Sequence, residues 1–194
     1  MLHHSKLGFE NRHIVLYLLL VKQKLLNPGF KLVGIKKGSM IKVGDKAPDF
    51  VLKDPEGNEI SLQSQLGDKS VLLYFYPADW SPVCTTQLGG FCSLENEFEK
   101  LGTKIIAISA DHGFSHKAFR DKLGAKFLFL SGTKEVLEKY GVYLPNIGFA
   151  NRAYFVLDKS GVVRFSHIMP SPPEMLENSK LLTLIKDLKE KMNF

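Results

Sequence analysis

The sequence predicts an α/β fold, a mixed central sheet with helices on both faces. Three observations carry this expectation. Short apolar runs of strand length alternate along the chain with stretches of helical period. Two of the runs, Ser70 to Tyr76 and Lys104 to Ser109, are apolar almost throughout, the pattern of strands covered on both sides. Two late extended segments meet at the tight turn Asp158-Lys159-Ser160-Gly161, so the sheet must contain an antiparallel pair.

The elements follow in order. Asp49 to Asp54 and Glu59 to Leu62 flank the turn Pro55-Glu56-Gly57-Asn58, which makes a hairpin. The buried strand Ser70 to Tyr76 comes next. Ser81 and Pro82 then mark a helix start, a hydroxyl cap followed by proline at the first helical position. Apolar residues at 88, 91, 94, 98 and 101, three or four apart, continue that helix to Leu101. Lys104 to Ser109 is a strand, Phe114 to Leu123 a helix stopped at Gly124, and Phe127 to Leu130 a strand. Thr133 to Tyr140 reads as a short helix ended by Gly141. Ala153 to Leu157 and Val162 to His167 form the closing hairpin. Ser171-Pro172-Pro173-Glu174 has the form of a capping box and predicts a final helix opening there and running to Met192.

The chain has 194 residues, 44% hydrophobic and 24% charged, proportions of a globular domain that needs no covalent staples. Its two cysteines exclude a disulfide scaffold and a four-cysteine zinc site. No apolar run reaches the roughly 18–20 residues that would span a membrane. The net charge of +6 belongs wholly to residues 1–39, where seven Lys and Arg face Glu10 alone. Residues 40–194 carry 19 basic and 19 acidic residues, so the body offers no general attraction to nucleic acid. The expected organisation is a basic N-terminal extension, 1–39, and one domain, 40–194. The extension has three open readings: a targeting segment, a helix that packs elsewhere, or a disordered or spurious lead into a start at Met40. A cytoplasmic location is expected, with targeting by residues 1–39 left open.

The chemistry concentrates at Cys84. Counting from Pro82 puts it at the third helical position, where backbone N–H groups lack partners and the helix dipole is positive. Both favour thiolate over thiol. The position also lies beyond the C-terminal end of a buried strand, where α/β sheets gather their reactive groups. The spacing alone leaves open a small buried cysteine beside an ordinary cap.

Pro77, Ser81 and Cys84 in the pattern Pro-x-x-x-Ser-x-x-Cys resemble the signature of the peroxiredoxins. The resemblance runs from Val43 to His167. It includes Phe50, Tyr74-Phe75-Tyr76-Pro77, Cys84-Thr85-Thr86-Gln87-Leu88, Ile108-Ser109-Ala110-Asp111, His116-Lys117-Ala118-Phe119, Tyr140-Gly141-Val142 and Arg152-Ala153-Tyr154-Phe155-Val156-Leu157-Asp158. It implies a thioredoxin-like fold and reduction of hydrogen peroxide and organic hydroperoxides through a sulfenic acid on Cys84. It also implies that Ser81 Oγ hydrogen-bonds the peroxide, that Pro77 shields the thiolate and that Arg152 supplies positive charge; a surface salt bridge is the plainer alternative for Arg152. No haem, metal or other cofactor is implied. The expected partners are a peroxide and an external thiol reductant such as thioredoxin, with no nucleic acid or membrane; a homodimer stays open. Gln87 stands where many relatives have Glu, which puts any buried ion pair there in doubt.

Cys92 is the only other thiol. Eight residues of helix separate it from Cys84 by about 12 Å, whereas a disulfide needs Cα atoms within about 7 Å. In a subgroup similar to the bacterioferritin-comigratory proteins the resolving cysteine stands five residues on, where this chain has Gly89. Gly89 and Gly90 weaken the helix, which would ease unwinding. Against this, Cys92 lies beside the apolar stripe, so a core cysteine is favoured over a resolving one. His112 and His116 have a spacing that could hold a metal on a helix, but no third ligand is in view, and a solvated helix start is favoured. Trp80 is expected to pack partly buried in the loop before Cys84.

Two rival functions share this fold. A dithiol oxidoreductase would need Trp-Cys-x-x-Cys, and Ser81 occupies the first cysteine position, which excludes it. A non-catalytic chaperone or peroxide-signalling adaptor on the same fold would show no turnover.

Overall fold

The computed structural model describes residues 41–192 and Phe194, and the extension expected at 1–39 lies outside the described residues. Residues 42–47 are stitched to the closing hairpin, with Gly44 N donating to Val163 O and Ala47 N to Gly161 O. The first hairpin pairs β1 (Val51–Lys53) with β2 (Glu59–Ser61) in antiparallel register. Asp54 closes its turn by accepting from the backbone N–H groups of Glu56 and Asn58. β3 (Ser70–Phe75) is buried along its whole length. Then come α1 (Pro82–Lys100), β4 (Thr103–Ser109), α2 (Gly113–Leu123), β5 (Leu128–Ser131) and α3 (Lys134–Lys139). A two-residue hairpin, β6 (Tyr143–Leu144) with β7 (Phe149–Ala150), was too short to be legible in the sequence. β8 (Ala153–Leu157), β9 (Val163–Ile168) and α4 (Asn178–Met192) complete the order.

Seven strands form one sheet in the order β2-β1-β5-β4-β3-β8-β9. β3, β4 and β5 run parallel, and β8 pairs antiparallel with both β3 and β9. The expected mixed sheet is what forms. Side chains on successive strand residues point to opposite faces, and this parity builds two cores. Val71, Leu73 and Phe75 join Val136, Leu137 and Tyr140 from the α3 side. Leu72, Tyr74 and Tyr76 join Leu88, Phe91 and Phe98 of α1, Phe119 of α2, and Leu181 and Ile185 of α4. Each such fully buried apolar side chain contributes about 1.5–3 kcal/mol. β8 obeys the same rule, with Phe155 facing the first core and Tyr154 the second.

The helix ends follow local chemistry. α2 stops at Gly124, whose φ of 66° suits a residue without a Cβ. Thr133 caps α3 by accepting from Val136 N at 3.4 Å. The final helix departs from expectation, since it opens at Asn178 and not at Ser171. Ser171 and Glu174 do bond, Oγ to Oε1 at 2.7 Å, but around a single turn. In a helix Leu176 N would donate to Pro172 O. Here Leu176 N donates to Tyr154 Oη at 3.1 Å, and Pro172 O accepts from Arg152 Nη2 at 3.1 Å. The helical bond is divided between two side chains of the sheet, and residues 171–177 become a strap across its second face.

Candidate active site

Ser81 caps α1 with extended backbone, φ −68° and ψ 142°, and its Oγ accepts from Cys84 N at 3.3 Å. Proline at the first position fixes the entry. Cys84 therefore sits in the first turn, as the sequence predicts, and its side chain is buried in the second core. Pro77, at the end of β3, is buried as well.

Arg152 immediately precedes β8 and has the parity of Tyr154, so the pleat sends it towards Tyr74 and Cys84. It has no solvent exposure, which corrects the alternative of a surface salt bridge. Nη2 donates to Cys84 Sγ at 3.4 Å and to Pro172 O, and Nη1 donates to Tyr74 Oη and to Gln87 Oε1, the latter at 2.9 Å. Gln87 ties the rest together. Its Oε1 accepts from Tyr74 Oη at 2.9 Å, and its Nε2 donates to Leu176 O at 2.8 Å and to Tyr154 Oη at 2.7 Å. Burial raises both tyrosine pKa values, that of Tyr74 well above the usual phenol range, so both remain hydroxyl donors. Cys84, Ser81, Pro77 and Arg152 thus converge on one end of the sheet. Tyr74 and Tyr154 were not singled out from the sequence, although their shared parity with Arg152 on adjacent strands was a usable signal.

A second polar group lies behind the loop that leads to Cys84. Asp79 is buried and accepts from Tyr76 Oη and Ser115 Oγ, both at 2.7 Å, while its backbone N–H donates to Asp111 Oδ2 at 2.8 Å. His116 Nδ1 stands 3.0 Å from Asp79 Oδ2. His116 is fully buried, so the solvated helix start expected for both histidines is wrong for this one. Its partner is Asp79, on a loop remote in sequence. His112, at the cap of α2, is exposed. Among the described residues no group of three His, Cys, Asp or Glu could hold a metal. Burial, and next the charge of Asp79, push the Asp111 carboxyl above the usual range. Trp80 is half exposed, packs on Phe119 at 4.9 Å, and has φ 62°, a backbone conformation costly for a bulky residue. Its indole N–H donates to Ser115 Oγ at 3.2 Å.

Cys92 lies in the same continuous helix as Cys84 and is partly buried against the second core. Burial, with the Glu95 charge added, pushes its thiol up to about 11. Gly90 has a packing role, because a Cβ there would meet Asn178 Nδ2 at 2.6 Å. That amide donates to Gln87 O at 2.8 Å and seats the start of α4 on α1.

A model of the AhpC/TSA family matches residues 43–166, most of the described domain, with Cys84 and Arg152 inside the match. The chain belongs to the AhpC/TSA family. It is 40% identical over 147 residues to the chloroplastic peroxiredoxin Q of Sedum lineare, covering 74% of this chain and 78% of that one. It is 39% identical over 137 residues to the chloroplastic 2-Cys peroxiredoxin BAS1 of Hordeum vulgare, covering 65% of each. Against the spinach protein of the same name the match covers 52% of the relative, so the chain spans only half to two thirds of these BAS1 proteins. Its fold superposes on the crystal structure of peroxidoxin BcpB from Mycobacterium tuberculosis with a TM-score of 0.69 at 28% identity, covering 76% of this chain and 97% of that one. Enterococcus faecalis AhpC gives a TM-score of 0.72 at 25% identity, covering 79% and 96%. The fold of this AhpC/TSA member is the thioredoxin-like fold of the peroxiredoxins.

Proposed function

We propose that the protein is a thiol-dependent peroxidase with Cys84 as its reacting group. The observation that carries this reading is Arg152 Nη2 at 3.4 Å from Cys84 Sγ, with neither residue exposed to solvent. The thiolate sulfur attacks one peroxide oxygen, an S–O bond forms, the O–O bond breaks, and the alkoxide or hydroxide leaves and takes a proton. Cys84 becomes a sulfenic acid. A guanidinium and an N–H-rich helix start are suited to a leaving group that gains negative charge. Ser81 Oγ, which accepts from Cys84 N, would hold the peroxide once Pro77 and its loop admit it.

The sulfenic acid is then returned by two equivalents of external thiol, the first forming a mixed disulfide with loss of water, the second releasing free Cys84. Cys92 is a poor resolving group on two grounds, its position two turns along a continuous helix and its raised pKa. The chloroplastic relatives favour a targeting role for the basic segment 1–39 over the expected cytoplasmic residence. Peroxide consumption with dithiothreitol tests the assignment: Cys84→Ser should abolish it and Cys92→Ser should retain it. Turnover surviving Cys84→Ser would discard the reading, and turnover absent from the wild type would favour the adaptor or chaperone.

A further inference from the structure

Cys84 and Arg152 have no solvent exposure, and Pro77 is buried as well. A peroxide, or any other reagent, can therefore meet the thiol only when part of its cover moves. Two segments bear on the site. One is the loop 77–81 that leads into α1. The other is the strap, whose Pro172 O accepts from Arg152 Nη2, the same nitrogen that donates to Cys84 Sγ. The two are held very differently. The loop is anchored by the buried Asp79 carboxylate, which accepts from Tyr76 and Ser115 and faces His116, while Asp79 N donates to Asp111. Moving it would strip a buried carboxylate of its partners. The strap has no such anchor. None of residues 171–177 is buried, and their ties to the sheet and α1 are backbone atoms, Pro172 O, Leu176 N and Leu176 O. The Leu176 side chain, partly buried, packs against the second core. Of the two segments the strap is the easier to lift.

We infer that the strap is the door through which Cys84 is reached, and that Tyr154 is its latch. Tyr154 is on this reading a positioning residue, acting through Leu176 to hold the Pro172 carbonyl on Arg152. Its Oη accepts from Leu176 N at 3.1 Å and from Gln87 Nε2 at 2.7 Å, and donates to Gln87 Oε1 at 3.0 Å. That uses every hydrogen-bonding position of a phenol. Tyr154 belongs to β8, which is paired with β3 on one side and β9 on the other, so it does not travel with the strap. Opening withdraws Pro172 O from Nη2 and so returns an N–H donor to the site. The inference deepens the proposed peroxidase reading, which needs a way in for the peroxide, but it rests on the burial of Cys84 and not on turnover.

The test pairs amide hydrogen exchange with alkylation of Cys84 by iodoacetamide in the full chain, both located by mass spectrometry. Alkylation is taken at its limiting rate on raising pH, where the thiol's own titration has dropped out. Tyr154→Phe keeps the ring and removes the latch. Exchange across 171–177 and alkylation of Cys84 should both rise about fivefold, the effect of losing one ordinary hydrogen bond, while the amides of β3 keep their wild-type rate. Ser115→Ala loosens the loop instead and should leave alkylation within about twofold of wild type. Faster alkylation in Ser115→Ala than in Tyr154→Phe would make the loop the door and overturn the inference. So would a Tyr154→Phe chain that alkylates at the wild-type rate, or one whose β3 amides speed up as much as the strap. If Tyr154→Phe does not fold, Leu176→Ala decides alone, since it removes the strap's apolar hold and keeps its backbone bonds. Faster alkylation with faster strap exchange then supports the inference, and unchanged alkylation overturns it. Neither readout consumes peroxide. A chain whose variants behave as expected but whose wild type turns over no peroxide would discard the peroxidase reading and leave the latch standing.

Discussion

His116 Nδ1 lies 3.0 Å from Asp79 Oδ2, and neither side chain touches solvent. Through this contact α2 holds the loop that carries Trp80, Ser81 and the start of α1. Losing His116 removes one of the partners of a buried carboxylate that keeps Tyr76 Oη and Ser115 Oγ, at about 1–3 kcal/mol. His116→Phe should therefore lower the urea midpoint substantially. Trp80 is the only tryptophan, so its emission reports the loop directly and should shift in the folded variant. An unchanged midpoint with unshifted emission would show that the pair holds nothing.

The two thiols should part company on oxidation. With its thiol pushed up to about 11, only about one Cys92 in ten thousand is ionised at neutral pH. One equivalent of peroxide should give sulfenic acid on Cys84 and leave Cys92 as thiol, by mass spectrometry of the trapped protein. Loss of both thiols together in a monomer would mean that the first turns of α1 unwind.

Adjacent glycines should respond with different signs. Nothing lies within 4 Å of a Cβ at Gly89, so Gly89→Ala should raise stability by up to about 1 kcal/mol through helix propensity. At Gly90 the new methyl displaces the Asn178 amide and costs its hydrogen bond to Gln87 O. Gly90→Ala should melt at or below the wild-type temperature. Equal stabilisation by both would remove the packing role given to Gly90.

Asp158 is buried and accepts from Ser160 N, Val162 N and the Arg164 guanidinium, at 2.6 Å for Nη2. Burial alone would raise its pKa; the hydrogen bonds, Ser160 foremost, hold it below the usual value. With the folded pKa depressed, this carboxylate stabilises fully above the unfolded value of about 3.9 and loses that contribution as pH falls through the folded one. Asp158→Asn should cost about 2 kcal/mol at neutral pH and flatten that acid limb. An unchanged acid limb in urea titrations would remove Asp158 from its cause.

A chain beginning at Met40 should fold and match the full chain in any peroxide turnover, because the hydrogen bonds of Gly44 and Ala47 to the closing hairpin would all be retained. Insolubility, or a midpoint well below that of the full chain, would place residues 1–39 in the folding unit.

Local signals were readable and distant ones were not. Ser81-Pro82 placed Cys84 in the first turn because cap and proline act within a few residues. The same reasoning failed at Ser171-Pro172-Pro173-Glu174. There the local bond formed, but Arg152 and Tyr154 took the groups that a helix would have joined. His116 was misread for a related reason: its partner Asp79 is 37 residues away, and no short pattern announces it. Arg152 came from family resemblance, although its parity with Tyr154 would have pointed it inward.

The strap also imposes an order on biogenesis. Arg152, Tyr154 and Gln87 each spend a hydrogen bond on residues between Pro172 and Asn178. Those residues leave the ribosome after every strand of the sheet has been made. Until then the nascent chain carries Cys84 beneath an incomplete cover, with the guanidinium short of one partner. The surroundings of Cys84 are thus completed only after the sheet has been synthesised, and a chain cut short after β9 would lack both the Pro172 carbonyl that Arg152 uses and the Leu181 and Ile185 side chains of the second core.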